Sequence, residues 1–266
     1  MSSNIRFLPM GIGNSNVPFI VSAVTSHATD HDKEFLADLQ LDTYWEASSS
    51  AQQDIDIDLG SNFANYSIDH VFIYAKITNT SYAPIVIYSD THSDYSAQQN
   101  RSGVEEFVNG ESGVWSAIFV PVPSPIATDR YWRIRLASAS GTPQIAMIFL
   151  GVSKTITCRP NYGGKNNQNT FRNSGFIESA SGMRHGYSLT PIRKVWSRVW
   201  EVLDLTNKEA IEYVLNLTNG AQYPLWFQDL DDTDWNFVRI LNTEPIAEET
   251  KHQIYKTDPL IIEQEL

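Results

Sequence analysis

The sequence predicts a mainly β chain in two domains, and three observations carry that expectation. Seven Trp, twelve Tyr and twelve Phe stand beside many Thr, Ser and Asn, a mixture that suits pleated strands and turns better than a helix bundle. Ile55-Asp-Ile-Asp-Leu59 and Trp132-Arg-Ile-Arg-Leu136 alternate strictly between apolar and charged residues, the period of a strand with one face buried. The charge divides by region. Residues 1–152 carry 7 basic and 16 acidic side chains, residues 153–200 carry 8 and 1, and residues 201–266 carry 4 and 14.

Composition bounds the rest. A chain of 266 residues with 42% hydrophobic content is long and apolar enough for two cores. The net charge of −12 argues against general nucleic-acid binding, which needs clustered Lys and Arg. No apolar run reaches the roughly 18 residues of a membrane helix, so no membrane insertion is expected. The first ten residues lack the cationic lead and apolar segment of a secretory signal. The single cysteine, Cys158, cannot form an internal disulfide and fits synthesis in a reducing cytoplasm.

Along the chain, residues 1–17 read as an extended arm with Gly11, Gly13 and Pro18 as breakers. Residues 18–152 read as a first β domain. Val17–Val24 is an apolar run, Ile68–Ile77 and Ile85–Tyr88 are further strands, and residues 144–150 close the set. A short helix is predicted near His31–Leu39, and Asp94–Gly113 reads as a loop excursion. Residues 153–266 form a second domain: a strand at Thr155–Arg159, a long loop or hairpin arm at Asn161–Gly186, and a long strand at Val195–Leu203. A helix over 207–219 follows, with Thr206 as N-cap, Glu209 closing a capping box, and Ala210, Ile211, Val214 and Leu215 as its apolar stripe. Gly220 is the expected stop. Residues 223–228 and 235–241 then read as a hairpin around the acidic turn 229–234.

Several segments, in order, resemble a known family. They are Asp38-Leu-Gln-Leu-Asp42-Thr43-Tyr44-Trp45, then Ile57-Asp58-Leu59-Gly60, Val71-Phe-Ile73, Arg130-Tyr-Trp-Arg-Ile134 and Phe149-Leu-Gly151. This set is similar to the discoidin (coagulation factor 5/8 type C, galactose-binding-like) jelly-roll β-sandwich. The resemblance implies a domain that binds or adheres, often to glycans or phospholipid headgroups through loops on one rim. The strand–helix–hairpin order of residues 194–228 resembles the tube-like, ring-forming domains of long-tailed bacteriophage tails. That implies a structural virion component at the tail tip, distal tail or baseplate. Its partners would be a homo-oligomeric ring, neighbouring tail proteins and a host-surface glycan, and its location the virion tail, after synthesis in the bacterial cytoplasm. Distal-tail proteins place the ring-forming domain first, whereas here the sandwich precedes it. The alternative reading is a carbohydrate-binding host-adsorption protein.

Candidate residues follow from chemistry. Trp196 and Trp200 flank Arg198 on a basic strand, a composition that interfaces favour, and Arg172 and Arg184 extend the basic stretch. Tyr88, Tyr95 and Trp115 are candidates for stacking on a sugar. No cofactor or metal is expected. The Asp229–Asp234 cluster has Asp234 where a calcium loop needs Gly and Ile240 where it needs Glu. His27 and His31 lack the Glu that a metalloprotease places after its first His. Gly163-Gly-Lys165 lacks the phosphate-loop spacing. No Gly-X-Ser-X-Gly elbow is present, and Cys158 reads as packed rather than nucleophilic. Glycoside hydrolysis needs two placed carboxylates, which 31 scattered acids do not identify. An enzyme is not expected.

Overall fold

The computed structural model describes residues 4–9, 20–38, 40–61, 68–77, 85–102, 106–108, 114–126, 128–137, 141–160, 168–171, 174–178, 184–188, 193–219, 222–230, 235–242, 248–250 and 254–265. For 106–108, 124–126, 168–171, 174–178, 184–188, 248–250 and 254 the description is of the backbone. The chain is mostly β, with antiparallel sheets and one α-helix among the described residues. It divides into two compact units: Leu8–Ser153 with Thr233–Trp235, and Met1–Phe7 with Lys154–Asp232 and Asn236–Leu266.

The Leu8–Ser153 unit is a sandwich of two five-stranded sheets. One contains, in spatial order, Ile20–Val24, Gln53–Asp58, Tyr131–Leu136, Ile85–Asp90 and Gln99–Asn100. The other contains Trp45–Glu46, Gln144–Gly151, Ile68–Lys76, Trp115–Ile126 and Glu106–Val108. Alternation explains how they meet. Ile55, Ile57, Ile87, Trp132 and Ile134 from the first sheet share a buried cluster with Trp45, Val71, Ile73, Ile118, Val120, Ile145 and Ile148 from the second. Each such aliphatic side chain removed from water contributes roughly 1.5–3 kcal/mol before the entropy of ordering is counted. Tryptophan needs a partner for its N–H in such a core. Trp132 Nε1 donates to Asp129 O at 3.1 Å and Trp45 Nε1 to Ser26 O at 3.1 Å.

The second unit is built on a seven-stranded sheet in the order Lys154–Ile156, Ile5–Pro9, Leu225–Gln228, Trp235–Ile240, Leu260–Gln264, Arg193–Arg198 and Gln168–Phe171. Residues 5–9 are therefore not an extended arm. They form a strand in register with Lys154–Ile156, Ile5 opposite Ile156 and Phe7 opposite Lys154. The cause is apolar alternation: Ile5 and Phe7 are buried in the core formed with Trp196, Trp200, Phe227 and Ile262. Residues 1–3 and 10–17 of the expected arm lie outside the described residues.

The helix runs Leu205–Thr218 and starts before the expected 207. Its cap is Asp204, not Thr206, because the Asp204 carboxylate accepts from the Asn207 backbone N–H at 2.8 Å. It ends at Asn219, whose left-handed φ of 46° makes the turn expected of Gly220. Ala210, Ile211 and Val214 are buried, and Leu215 packs partly against the same core. The long strand expected over 195–203 stops at Arg198. Within the expected 161–186 loop, Gln168–Phe171 pairs with Arg193–Arg198, and Ser174–Glu178 pairs with Arg184–Ser188 as a hairpin. The helix expected near residues 31–39 is a 3-10 turn, Lys33–Leu36.

Candidate functional site: an aromatic and polar row on the sandwich

Strand register brings together side chains that the sequence keeps far apart. At one end of the second sandwich sheet, Glu46 lies opposite Gln144, Gln144 opposite Lys76, and Lys76 opposite Trp115. Directly opposed residues of antiparallel strands share a face. Their chain neighbours Trp45, Ile145 and Ala75 belong to the sandwich core, so this row of four points away from that core. All four are half-buried.

Aromatic rings complete the row. Tyr74, two residues before Lys76 and on the same face, stacks on Trp115 with centroids 5.4 Å apart and planes at 19°. Tyr44 meets Trp115 edge-on at 5.7 Å. His31 stacks on Tyr44 at 4.4 Å and 22°. Burial pushes the Tyr74 phenol above its ordinary pKa, which keeps it a neutral hydroxyl at physiological pH. Val114, beside Trp115, is 48% exposed and extends the apolar surface. The turn before His31 is set by Asp30, whose φ of 64° lies in the left-handed region that Asp tolerates.

The polar atoms beside the rings have defined partners. Glu46 Oε1 accepts from Thr142 Oγ1 at 3.1 Å, and Glu46 Oε2 accepts from Gln144 Nε2 at 2.9 Å. His31 Nδ1 lies 3.0 Å from the carbonyl oxygen of Tyr44, and its Nε2 lies 4.0 Å from Glu46 Oε2. A carboxylate has about four acceptor positions, so Glu46 keeps capacity for further donors. Flat apolar faces next to fixed acceptors are what a pyranose ring meets well, since it carries C–H groups on its faces and hydroxyls on its edge.

The outward face of the other sheet is organised differently. Asp54, Asp56 and Asp58 each receive two hydrogen bonds from one arginine. Arg135 to Asp54 measures 2.7 and 2.8 Å, Arg133 to Asp56 2.6 and 2.8 Å, and Arg130 to Asp58 2.6 and 2.7 Å. The Arg130 hydrogen bonds lower the Asp58 pKa, against desolvation and with help from the Gly60 N–H. Rings lie against this ladder. Arg133 sits 3.9 Å from the Tyr95 centroid and Arg135 5.0 Å from that of Tyr88.

The sequence-derived sugar candidates therefore separate. Trp115 is in the row with Tyr44 and Tyr74. Tyr88 is on the Asp–Arg sheet, and Tyr95, in the loop that follows its strand, is buried and donates its hydroxyl to Trp132 O at 2.7 Å. Tyr95 holds a φ of 54°, a strained value for an aromatic residue, maintained by these contacts. His31, Tyr44, Glu46, Tyr74 and Gln144 were not candidates from sequence. The outward phase of Tyr74 and Lys76 in their strand is readable there, but the pairing of residues 46, 144 and 115 is not.

The expected interface residues lie elsewhere. Trp196 and Trp200, expected at a subunit interface, are fully buried within the chain. Their rings fill the core of the second unit, Trp196 edge-on to Phe227 at 5.3 Å. Trp200 Nε1 donates to Cys158 O at 3.1 Å. Arg198 is buried and paired with the Asp229 carboxylate, which also removes Asp229 from the acidic cluster. Arg184 begins the strand Arg184–Ser188, and Arg172 lies outside the described residues. So do Gly163-Gly-Lys165 and residues 231–234. His27 Nδ1 lies 3.2 Å from Asp32 in a non-helical segment. Among the described residues no group of three His, Cys, Asp or Glu is placed to hold a metal. Burial, followed by the charge of Asp204, pushes the Cys158 thiol up to about 11, which makes it a poor nucleophile.

No family model and no curated protein matches the chain. Among solved structures, it is similar to a family 32 carbohydrate-binding module from a family 31 glycoside hydrolase of Clostridium perfringens. The identity is 15%, covering 50% of this chain and 96% of that one, with a TM-score of 0.36. The family 32 module of C. perfringens NanJ, solved in complex with galactose, is 16% identical over 48% of this chain and 90% of that one, with a TM-score of 0.37. A structure of the Streptococcus pneumoniae β-galactosidase BgaA is 10% identical over 55% of this chain and 98% of that one, with a TM-score of 0.38. Likeness at this level leaves the ligand open, because one fold serves many functions.

Proposed function

We propose that the chain is a non-catalytic carbohydrate-binding protein whose site is the outward row of Tyr44, Tyr74, Trp115, Glu46 and Gln144. The observation that carries this reading is the half-exposed Tyr44–Trp115–Tyr74 ring cluster, set beside a carboxylate with unused acceptor capacity. A sugar ring lies on the indole, and its edge hydroxyls donate to Glu46 and accept from Gln144. Both partners stand on regular strands or next to them, so the geometry is set before the ligand arrives. The tail-assembly reading has no comparable support. Two of its anchor residues, Trp196 and Trp200, fill a core, and Arg198 is paired with Asp229.

A glycan array followed by calorimetry on the strongest hit tests the proposal. Trp115→Ala is expected to weaken binding by at least about tenfold, which corresponds to roughly 1.4 kcal/mol. Tyr44→Ala is expected to act in the same direction. Unchanged affinity in both variants, or no saccharide bound at all, rejects the assignment.

A further inference from the structure

His31 and Glu46 present an arrangement that neither residue explains alone. A carbonyl oxygen only accepts, so the 3.0 Å contact between His31 Nδ1 and Tyr44 O places the proton of a neutral imidazole on Nδ1. Nε2 is then a bare lone pair, and it faces Glu46 Oε2, another acceptor, across 4.0 Å. That separation is too long for a direct hydrogen bond and leaves both acceptors open to donors from a ligand. Both side chains remain reachable, at 28% and 23% exposure. Thr142 and Gln144 hold the Glu46 carboxylate in place, and the Tyr44 ring holds the imidazole.

We infer that the His31–Glu46 acceptor pair makes this site selective for uncharged pyranoses that present a pair of adjacent hydroxyls as donors, and that it rejects uronate, sialyl and sulfated sugars. The inference rests on the carbohydrate-binding reading and specifies its substrate class. The apolar face of the ring lies on Trp115 and Tyr44, and the adjacent hydroxyls donate to His31 Nε2 and Glu46 Oε2. A carboxylate or sulfate brought to the same place has no proton to donate and meets the charge of Glu46. Lys76, in the same cross-strand row, supplies the row's one positive charge and lies two strands away from Glu46.

The same geometry makes binding depend on pH. The groups in contact with or facing His31 are the Tyr44 ring and carbonyl and the Glu46 carboxylate, which in turn accepts from the neutral amide of Gln144. Asp30, Asp32 and Lys33 flank it in sequence, and Lys33 Nζ donates to Ser22 O at 3.0 Å. When His31 gains a proton, Nε2 turns from acceptor to donor and pairs with Glu46, which removes both acceptors from the ligand. Affinity is therefore highest with the neutral imidazole and is lost with the protonated one.

The experiment uses the full chain on an array of neutral hexose oligosaccharides with their sialylated and uronate counterparts. Calorimetry on the strongest neutral hit follows, at about pH 7.5 and about pH 5.5. Neutral glycans should bind at least about tenfold more tightly than their acidic counterparts, and Glu46→Gln should remove about tenfold or more of that affinity. The wild-type affinity should fall severalfold at the lower pH, and His31→Gln should flatten that dependence. The wild-type pH and ligand comparisons need no variant, so a folding defect in either substitution leaves the test intact. If acidic glycans bind as well as neutral ones in a Trp115-dependent way, or affinity is the same at both pH values, the acceptor pair is overturned while sugar binding stands. If no glycan binds, or binding ignores Trp115→Ala, the carbohydrate reading itself falls.

Discussion

The outward faces of the two sandwich sheets differ in how their polar groups are paired. On the sheet carrying Gln53–Asp58 and Tyr131–Leu136, three aspartates meet three arginines in paired hydrogen bonds, and Tyr88 and Tyr95 lie against the arginines. The polar groups of that ladder are matched to one another within the sheet. On the other sheet, Glu46 and His31 face each other as two acceptors, and the Trp115 and Tyr44 rings are half-exposed. A saturated polar face contributes stability and register. An unsaturated one beside flat rings has interaction capacity left over for a ligand.

Breaking the saturated face should cost stability and leave binding untouched. Arg133→Ala strands the partly buried Asp56 carboxylate and removes the cation from the Tyr95 ring. A loss of about 2–3 kcal/mol in denaturant unfolding is expected, below that of a fully buried pair. The reverse pattern is expected of Trp115→Ala, with a change of under about 1 kcal/mol in stability and at least about tenfold in glycan affinity. If Arg133→Ala abolishes binding without lowering stability, the division between the faces is wrong.

Tyr95→Phe sharpens the comparison. It deletes the hydroxyl that bonds to Trp132 O while keeping the ring under Arg133, and should cost about 1 kcal/mol, measured as a shift of the urea midpoint. The smallest effect is a pH signature. The Asp58 pKa is depressed in the folded state by the Arg130 hydrogen bonds first, with desolvation opposing them. Its stabilisation is therefore complete above the unfolded carboxylate pKa of about 3.9 and is lost as pH falls through the folded value. Asp58→Asn should lower stability at neutral pH and weaken the acid dependence of unfolding below about pH 4. An acid transition identical to the wild type would remove Asp58 from that account.

Local patterns made part of this legible in the sequence. Alternation located Gln53–Asp58 and Tyr131–Leu136, and the 3.6-residue stripe located the helix. The helix start was misplaced by two residues because Asp204 and Thr206 are both competent caps, and tertiary geometry chose Asp204. Ile5–Pro9 read as an arm because five residues beside a glycine-rich stretch carry a weak period, and their partner lies at Lys154–Ile156. Trp196 and Trp200 read as an interface because aromatic and basic residues alternate there, yet burial decided their role. The candidate site was the least legible feature. Trp115 was accessible to sequence reasoning as a single ring, but its row depends on pairings that join residues 46, 144, 76 and 115, and long-range register leaves no local mark.

Sugar binding on the sandwich is assigned to one ring among seven tryptophans. Titrating the 15N-labelled protein with its strongest array hit and following the indole N–H resonances tests it directly. The expected result is a saturable shift of the Trp115 indole, absent in Trp115→Ala, with the buried Trp132, Trp196 and Trp200 indoles unmoved. Saturable binding that shifts other indoles and leaves Trp115 in place would contradict it.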